Sequence, residues 1–332
     1  MDADPAAVGG PQPDPGETQY DLDELAGSVS ARPALFGVVA ELAIAGFVDA
    51  VEVGRGGFGV VYRCRQVGLG RSVAVKVLTV ELEGNRARFV REQQAMAQLT
   101  GHPNIVSVLQ VGEIAGGQPF LVMPYCGQGS VQDRIAQLGV LGVDEVLRVG
   151  VKMAAALASA HRLGIVHRYV KPANVLLTDY GQPALCDFGI AHTAGREFRT
   201  ATGFFIGSPA FTAPEIISGD PPSPASDVYG LGATLFCGLT GHAAFERRYG
   251  EEIIAQFARI AQQPLPDLRD HQVPDDVATI VEQAMARNPQ DRPTAQRLGE
   301  LLQDAQAHHG LPVDDMALHG SPSGPQDRKS VV

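Results

Sequence analysis

Four glycines fall within the six residues Gly54-Arg55-Gly56-Gly57-Phe58-Gly59, between two segments with the alternation of strands. Glycine lets a backbone pass close to a phosphate and present its amide N–H groups. Alone such a run marks only a turn. Its context constrains the fold: the segment from Val60 to Arg65 continues as a strand, whereas a dinucleotide-binding unit needs a helix there.

The rest of the chain divides by hydrophobic period. Residues 48–79 read as strands, with Val73, Val75 and Val77 alternating with Ala74 and Lys76. Asn85 to Leu99 reads as a helix, and Val106–Val111 and Phe120–Met123 as two further strands. From residue 130 the helical pattern dominates, including a helix through His161 with Asp144 as its expected N-cap. The expectation is an α+β chain with a small β-rich lobe and a larger α-helical one.

Of 332 residues, 45% are hydrophobic, enough for one two-lobed domain. The net charge of −11 argues against a nucleic-acid partner. Residues 1–41 hold eight acids against Arg32 alone, so much of that charge sits in a Pro-rich N-terminal segment. Segment 1–42 is expected to be a largely disordered acidic tail, and 307–332 a disordered C-terminal one. Val143 to Ala160, the most apolar long stretch, contains Asp144, Glu145, Arg148 and Lys152, too many charges for a membrane span. Cys64, Cys126, Cys186 and Cys237 lack metal-knuckle spacing, and with no signal peptide they read as reduced thiols of a cytoplasmic protein.

Further blocks follow the glycine run. Lys76 lies in Val73-Ala74-Val75-Lys76, flanked by valines, so its ammonium needs an anion; Glu92 on the next helix is the candidate. His167-Arg168-Tyr169-Val170-Lys171-Pro172-Ala173-Asn174 precedes an apolar strand, and Cys186-Asp187-Phe188-Gly189 follows a second one. Asn174 and Asp187 are oxygen donors of the kind that suits Mg²⁺. Ala213-Pro214-Glu215, then Ser226-Asp227-Val228-Tyr229-Gly230, then Arg292 complete the series. Taken singly, the block that runs from Ala213 on reads as a capped helix start and the block around Arg292 as a turn.

In this order the blocks resemble the signature set of protein kinases over roughly residues 46–305. Lys171, four residues after His167, is similar to the serine/threonine type. The wording, including Ala-Gly-Gly-Gln-Pro-Phe at 115–120, resembles the bacterial serine/threonine kinases and among them the actinobacterial protein kinase K group. That group carries a long regulatory region after the kinase domain, so a short or truncated relative is expected.

The resemblance implies a kinase domain at 43–306, with an N-lobe of about 43–124 and a C-lobe of about 127–306. It implies ATP with Mg²⁺ (or Mn²⁺) as cofactors and proteins bearing Ser or Thr as substrates. Gly54, Gly56 and Gly59 would cover the phosphates. Lys76, held by Glu92, would contact them, and Lys171 would approach the γ-phosphate. Val61, Ala74 and Leu176 would enclose the adenine. Met123 aligns with the gatekeeper, followed by hinge residues Pro124 and Cys126; Pro124 lacks an N–H but keeps the carbonyl that the hinge uses. Asn174 and Asp187 would hold the metal. Thr200 and Thr202 are the implied autophosphorylation sites, with Arg168 as phosphate partner. Glu215 would pair with Arg292, and Ser208 would help shape the substrate-hydroxyl site.

One position departs from the pattern. The family places an aspartate third in its His-Arg-Asp triplet, where it orients the substrate hydroxyl; here His167-Arg168 is followed by Tyr169. A phenol has a reference pKa near 10 and is a poor base at pH 7. Asp179, in the turn after the Val175–Leu177 strand, is expected to point away. The reading is therefore a kinase-family domain with strongly reduced phosphoryl transfer. A nucleotide-binding pseudokinase scaffold is the alternative, and a small-molecule kinase a distant third.

Overall fold

The computed structural model describes residues 32–57, 59–78, 94, 96–114, 117–188 and 208–319. In the N-terminal lobe, helix α1 (Arg32–Ile44) leads into β1 (Phe47–Gly56), β2 (Gly59–Gln66), β3 (Arg71–Leu78), β4 (Gln110–Glu113) and β5 (Pro119–Pro124). These strands form one antiparallel sheet ordered β1-β2-β3-β5-β4. Strand β3 is buried from Val73 to Leu78 on both faces. Val73, Val75 and Val77 join Phe47, Tyr62, Phe120 and Val122 in the lobe's core, where the rings of Phe47 and Phe120 meet edge to face at 5.7 Å. Alternation then turns Ala74 and Lys76 to the opposite face, toward the second lobe.

The C-terminal lobe contains α2 (Val131–Leu138), α3 (Val143–Arg162), the hairpin β6 (Val175–Leu177) with β7 (Pro183–Leu185), α4 (Pro214–Ile217), α5 (Pro224–Thr240), α6 (Ile253–Gln262), α7 (Asp275–Ala284) and α8 (Ala295–His308). Ser130 and Ser223 cap α2 and α5 through reciprocal capping boxes with Asp133 and Ser226. Helix α3 is the axis of the lobe: Leu147, Val151, Ala154 and Leu157 are fully buried in a core shared with Leu231, Leu235, Leu298 and Leu302.

Several expectations need correction. Asp144 is not the N-cap of α3; Gly142 is, and Asp144 and Glu145 sit in the first turn, where the helix dipole favours acids. The strand expected at Val106–Val111 begins only at Gln110, because the Val106 N–H bonds instead to Leu185 O of β7. Of the segment 1–42 read as tail, the residues from Arg32 on belong to helix α1, and Leu42 is buried against the N-lobe sheet core.

Residues 311–319, also read as tail, form an extended strap across the C-lobe. Leu311, Met316 and Leu318 pack on its core. Lys152, buried in the middle of α3, donates to Asp315 Oδ1 at 2.5 Å and Asp315 O at 3.0 Å. Gln306 and Asp314 bond reciprocally at 2.7 and 2.9 Å. The strap ends where His319 N–H meets Ser159 Oγ (3.0 Å) and where His102, in the segment before β4, bonds Ala317 O (2.7 Å). The expected helix at Asn85–Leu99 falls mostly outside the described residues, although residues 94, 96 and 97 are helical.

Candidate active site

Between the lobes lies a cleft of about 310 Å³, lined by Gly54, Arg55, Gly56, Gly57, Gly59, Val61, Lys76, Leu78, Tyr169, Lys171, Ala173, Asn174 and Asp187. Its roof is the β1–β2 hairpin, which closes at the Gly56–Gly59 pair. Gly59 adopts φ +151°, and a Cβ there would lie 2.2 Å from Val77 O, so only glycine fits this crossing.

Lys76 Nζ lies 2.7 Å from Asp187 Oδ2, with the lysine side chain only 7% exposed. This answers the sequence-level requirement for an anion beside Lys76; Glu92, the partner expected there, lies outside the described residues. Asp187 adopts φ +64°, an uncommon conformation for a non-glycine residue and of the kind found at functional sites. Asn174 is buried, donates from Nδ2 to Tyr169 O at 2.7 Å, and its backbone carbonyl accepts from Cys186 N–H at 2.9 Å. Burial pushes the Lys171 ammonium below its ordinary pKa, while Asp187 opposes the shift and Lys76 adds to it.

The loop carrying Tyr169 is gripped from below by Asp227 of α5. This fully buried carboxylate accepts from the backbone N–H groups of His167 (2.7 Å) and Arg168 (2.6 Å) and contacts His161 Nε2 at 2.8 Å. Arg168 is thereby held at φ +77°. Gly230, one helical turn beyond Asp227, lets α5 approach: a Cβ there would meet Val170 O at 2.8 Å. His167 is buried, bonds Cys186 O through Nε2 (2.8 Å) and accepts Tyr169 N–H at Nδ1 (3.2 Å). Its ring also packs on Phe188 at 4.5 Å.

Beside the polar end is an apolar compartment. Ala74, Met123, Val106, Ala184 and Cys186 are buried together, with Val61, Tyr125 and Leu176 packed against them. Ala74 and Met123 are cross-strand neighbours of β3 and β5. Pro124 is exposed and Cys126 half-buried at the adjoining hinge. A flat, apolar ligand edge suits this lining, and phosphates suit the glycines and lysines next to it.

Of the remaining expected residues, Glu215 and Arg292 form a two-pronged ion pair at 2.7 and 2.8 Å, with the arginine side chain fully buried. Thr200 and Thr202 lie outside the described residues, and Ser208 is half-buried at the start of the next described segment. Asp179 is exposed in the turn after β6, as expected. Asp227 was legible only as part of a helix start; its grip on the loop is a tertiary relation between residues 60 positions apart that no local pattern carries. Arg55, Leu78 and Ala173 also line the cleft without having been singled out.

Tyr169 lines the same cleft as Lys171, Asn174 and Asp187. Among the described residues that line it, Asp187 is the single carboxylate, and it is engaged by Lys76.

The protein kinase domain model matches residues 47–302. Serine/threonine-protein kinase PknK of Mycobacterium tuberculosis is 60% identical over 283 residues, covering 85% of this chain and 25% of PknK. PkaA of Streptomyces coelicolor is 37% identical over 267 residues, covering 75% of this chain and 48% of PkaA. The chain thus spans a quarter to a half of the length of these relatives. Among solved structures, the kinase domain of M. tuberculosis PknI superposes with a TM-score of 0.60 at 28% identity, covering 79% of this chain and 96% of that one. With a kinase model over most of its length and these relatives beside it, the chain belongs to the protein kinase family, in its bacterial serine/threonine branch.

Proposed function

We propose that this domain binds ATP with Mg²⁺ in the inter-lobe cleft and transfers the γ-phosphoryl group to protein Ser or Thr hydroxyls only weakly. The observation that carries this is the composition of the cleft: the groups suited to nucleotide and metal are together, and Asp187, the one carboxylate among the described residues that line it, is engaged by Lys76. The apolar compartment around Ala74 and Met123 takes the base. Glycine backbone amides, Lys76 and Lys171 face the phosphates. Phosphoryl transfer needs chiefly positioning and charge stabilisation, which these residues supply.

The donor set fits Mg²⁺. Asn174 uses Nδ2 on Tyr169 O, which leaves Oδ1 as its ligand end, and Asp187 offers a carboxylate at the same wall. When bound, the metal would neutralise charge on the phosphates. A phenol supplies no base at neutral pH, and a side chain larger than aspartate at a cleft-lining position would crowd a substrate hydroxyl. Positioned acid–base catalysis is worth about 10²–10⁴-fold, so a deficit of that order follows.

Protein substrates, modification of Thr200 and Thr202, and a cytoplasmic setting suited to four free cysteines belong to the same reading. Among the described residues no helix is long and apolar enough to cross a membrane. The pseudokinase reading is favoured by the same observation, since Tyr169 removes no nucleotide-contacting group. The test is a side-by-side assay of the parent and Tyr169→Asp for ATP–Mg²⁺ binding and for phosphate incorporation. Binding in both with fast transfer only in Tyr169→Asp supports weak catalysis through one missing carboxylate. Binding in both with no transfer in either supports the scaffold. Parent turnover equal to that of Tyr169→Asp overturns the proposal.

A further inference from the structure

Far from the cleft, the C-terminal end of α8 meets the N-terminal turn of α7. His308 Nδ1 lies 2.9 Å from Asp276 Oδ2, and His309 Nε2 lies 3.0 Å from Asp276 Oδ1. The three ligand atoms all lie within 4.8 Å of one another. We propose that Asp276, His308 and His309 form a binding site for a borderline divalent transition ion, of which Zn²⁺ is the representative.

Consecutive residues on a helix point about 100° apart and do not ordinarily share a target. Here α8 ends at His308, and the chain turns at His309 (φ −82°, ψ 5°), which brings the second ring round to the same carboxylate. The imidazoles present different nitrogens, Nδ1 and Nε2, with ring centroids 5.2 Å apart. One histidine would suffice to hold a lone aspartate. Two on opposite oxygens make a convergent N₂O donor set. A metal bonds such donors at about 2.0–2.2 Å, and small shifts from the present nitrogen–oxygen spacings would accommodate that.

The donor types select the ion. Imidazole with one carboxylate suits Zn²⁺, Co²⁺, Ni²⁺ or Cu²⁺, whereas Mg²⁺ and Ca²⁺ take oxygen-rich sets. The site would thus be distinct in chemistry from the Mg²⁺ position proposed in the cleft. The His309 and Asp276 side chains are 29% and 33% exposed, while His308 is 75% exposed, so water can complete the coordination. The ion would also sit at the C-terminal, negative end of the α8 dipole.

Position gives the site a consequence. Gly310 (φ +65°) turns the chain directly from His309 into the 311–319 strap. An ion clamping α8 to α7 would fix the root of that strap.

The experiment uses the full chain free of any histidine tag. Zn²⁺ and Mg²⁺ are titrated calorimetrically, Co²⁺ is followed by its visible absorption, and hydrogen exchange of residues 311–319 is read with and without Zn²⁺. The expected result is one Zn²⁺ per chain that Mg²⁺ does not displace, a tetrahedral Co²⁺ spectrum, and slower strap exchange. His309→Ala and Asp276→Asn should each weaken Zn²⁺ binding more than tenfold and abolish the exchange effect, with circular dichroism and ATP binding as checks on folding. If either variant misfolds, His308→Ala, at the most exposed ligand, supplies the same comparison. Zn²⁺ binding of undiminished affinity in these variants, or no Zn²⁺-specific binding at 100 μM, would overturn the site.

Discussion

Asn174 holds Tyr169 by its main chain: the carboxamide Nδ2 donates to Tyr169 O at 2.7 Å, and the phenol takes no part in that bond. His167 Nδ1 likewise accepts from the Tyr169 backbone N–H at 3.2 Å. Two of the bonds that hold the loop are therefore made by groups that any residue at 169 retains. Tyr169→Asp should keep ATP affinity within about threefold and raise phosphate incorporation about 10²–10⁴-fold. Tyr169→Ala opens the same space without supplying a base and should gain less than about tenfold. Equal gains in the two variants would show that the ring obstructs the site and that the carboxylate is dispensable.

Asp227 should matter as much as any residue in the cleft while touching none of the ligands. It is fully buried and satisfies two loop N–H groups and His161. Asp227→Ala orphans those donors, each at a cost of about 1–3 kcal/mol. Arg168 then loses what holds its positive φ. The expected outcome is a drop of several °C in melting temperature and, in a Tyr169→Asp background, loss of most of the regained transfer. Transfer retained at full rate would mean that the loop is held by other contacts.

The parts of the fold that were legible in sequence are those with local signatures. β3 shows alternation, α3 shows a helical apolar face, and the glycine run marks a hairpin. In the cleft, Lys76 among valines and Asn174 and Asp187 before and after an apolar hairpin were legible from their chemistry, whereas Val61 and Lys171 were named through the family resemblance alone. What failed depends on partners distant in the chain. Val106 carries a strand-like side chain, but its N–H goes to Leu185, and no alternation could say so. The strap has only Leu311, Met316 and Leu318 as apolar contacts, too sparse for a period, and is fixed by Lys152, Ser159 and His102. Its one signal was Lys152 itself, a charge set among Val149, Val151, Met153 and Ala154 that required an acid from somewhere.

The Glu215–Arg292 pair should be a stability element with no chemical role. Arg292 is fully buried, accepted by both Glu215 oxygens and by the carbonyls of Ala225, Ala286 and Arg287, and stacked 5.0 Å over Tyr229. Arg292→Ala strands a largely covered carboxylate and several carbonyls, and removal of one partner of such a pair costs about 3–5 kcal/mol. Arg292→Lys cannot reproduce the planar fork and should recover less than half of that loss. Urea denaturation midpoints check both. A midpoint unchanged in Arg292→Ala would show that the pair is dispensable.

His102 and His167 are arranged alike, and that fixes how the protein responds to acid. Each ring meets a carbonyl at Nε2, Ala317 O and Cys186 O respectively, and each accepts a backbone N–H at Nδ1, from Asn104 and Tyr169. Both are therefore neutral Nε2–H tautomers, and protonation at Nδ1 would break one bond in each. Burial, chiefly, pushes both pKa values below the ordinary 6.5; for His167 this prevails over the opposing charge of Asp227, and for His102 over its bond to Ala317. Below pH 6.5 the unfolded chain takes up protons that the folded chain refuses, so their contribution to stability is full above 6.5 and is lost as pH falls through the folded values. The urea midpoint should therefore decrease steadily from pH 7 to pH 5. His102→Gln should make that decrease shallower and, because His102 anchors Ala317, should speed hydrogen exchange in the strap at pH 7. A midpoint that is flat or rises on acidification would refute the assignment of both tautomers.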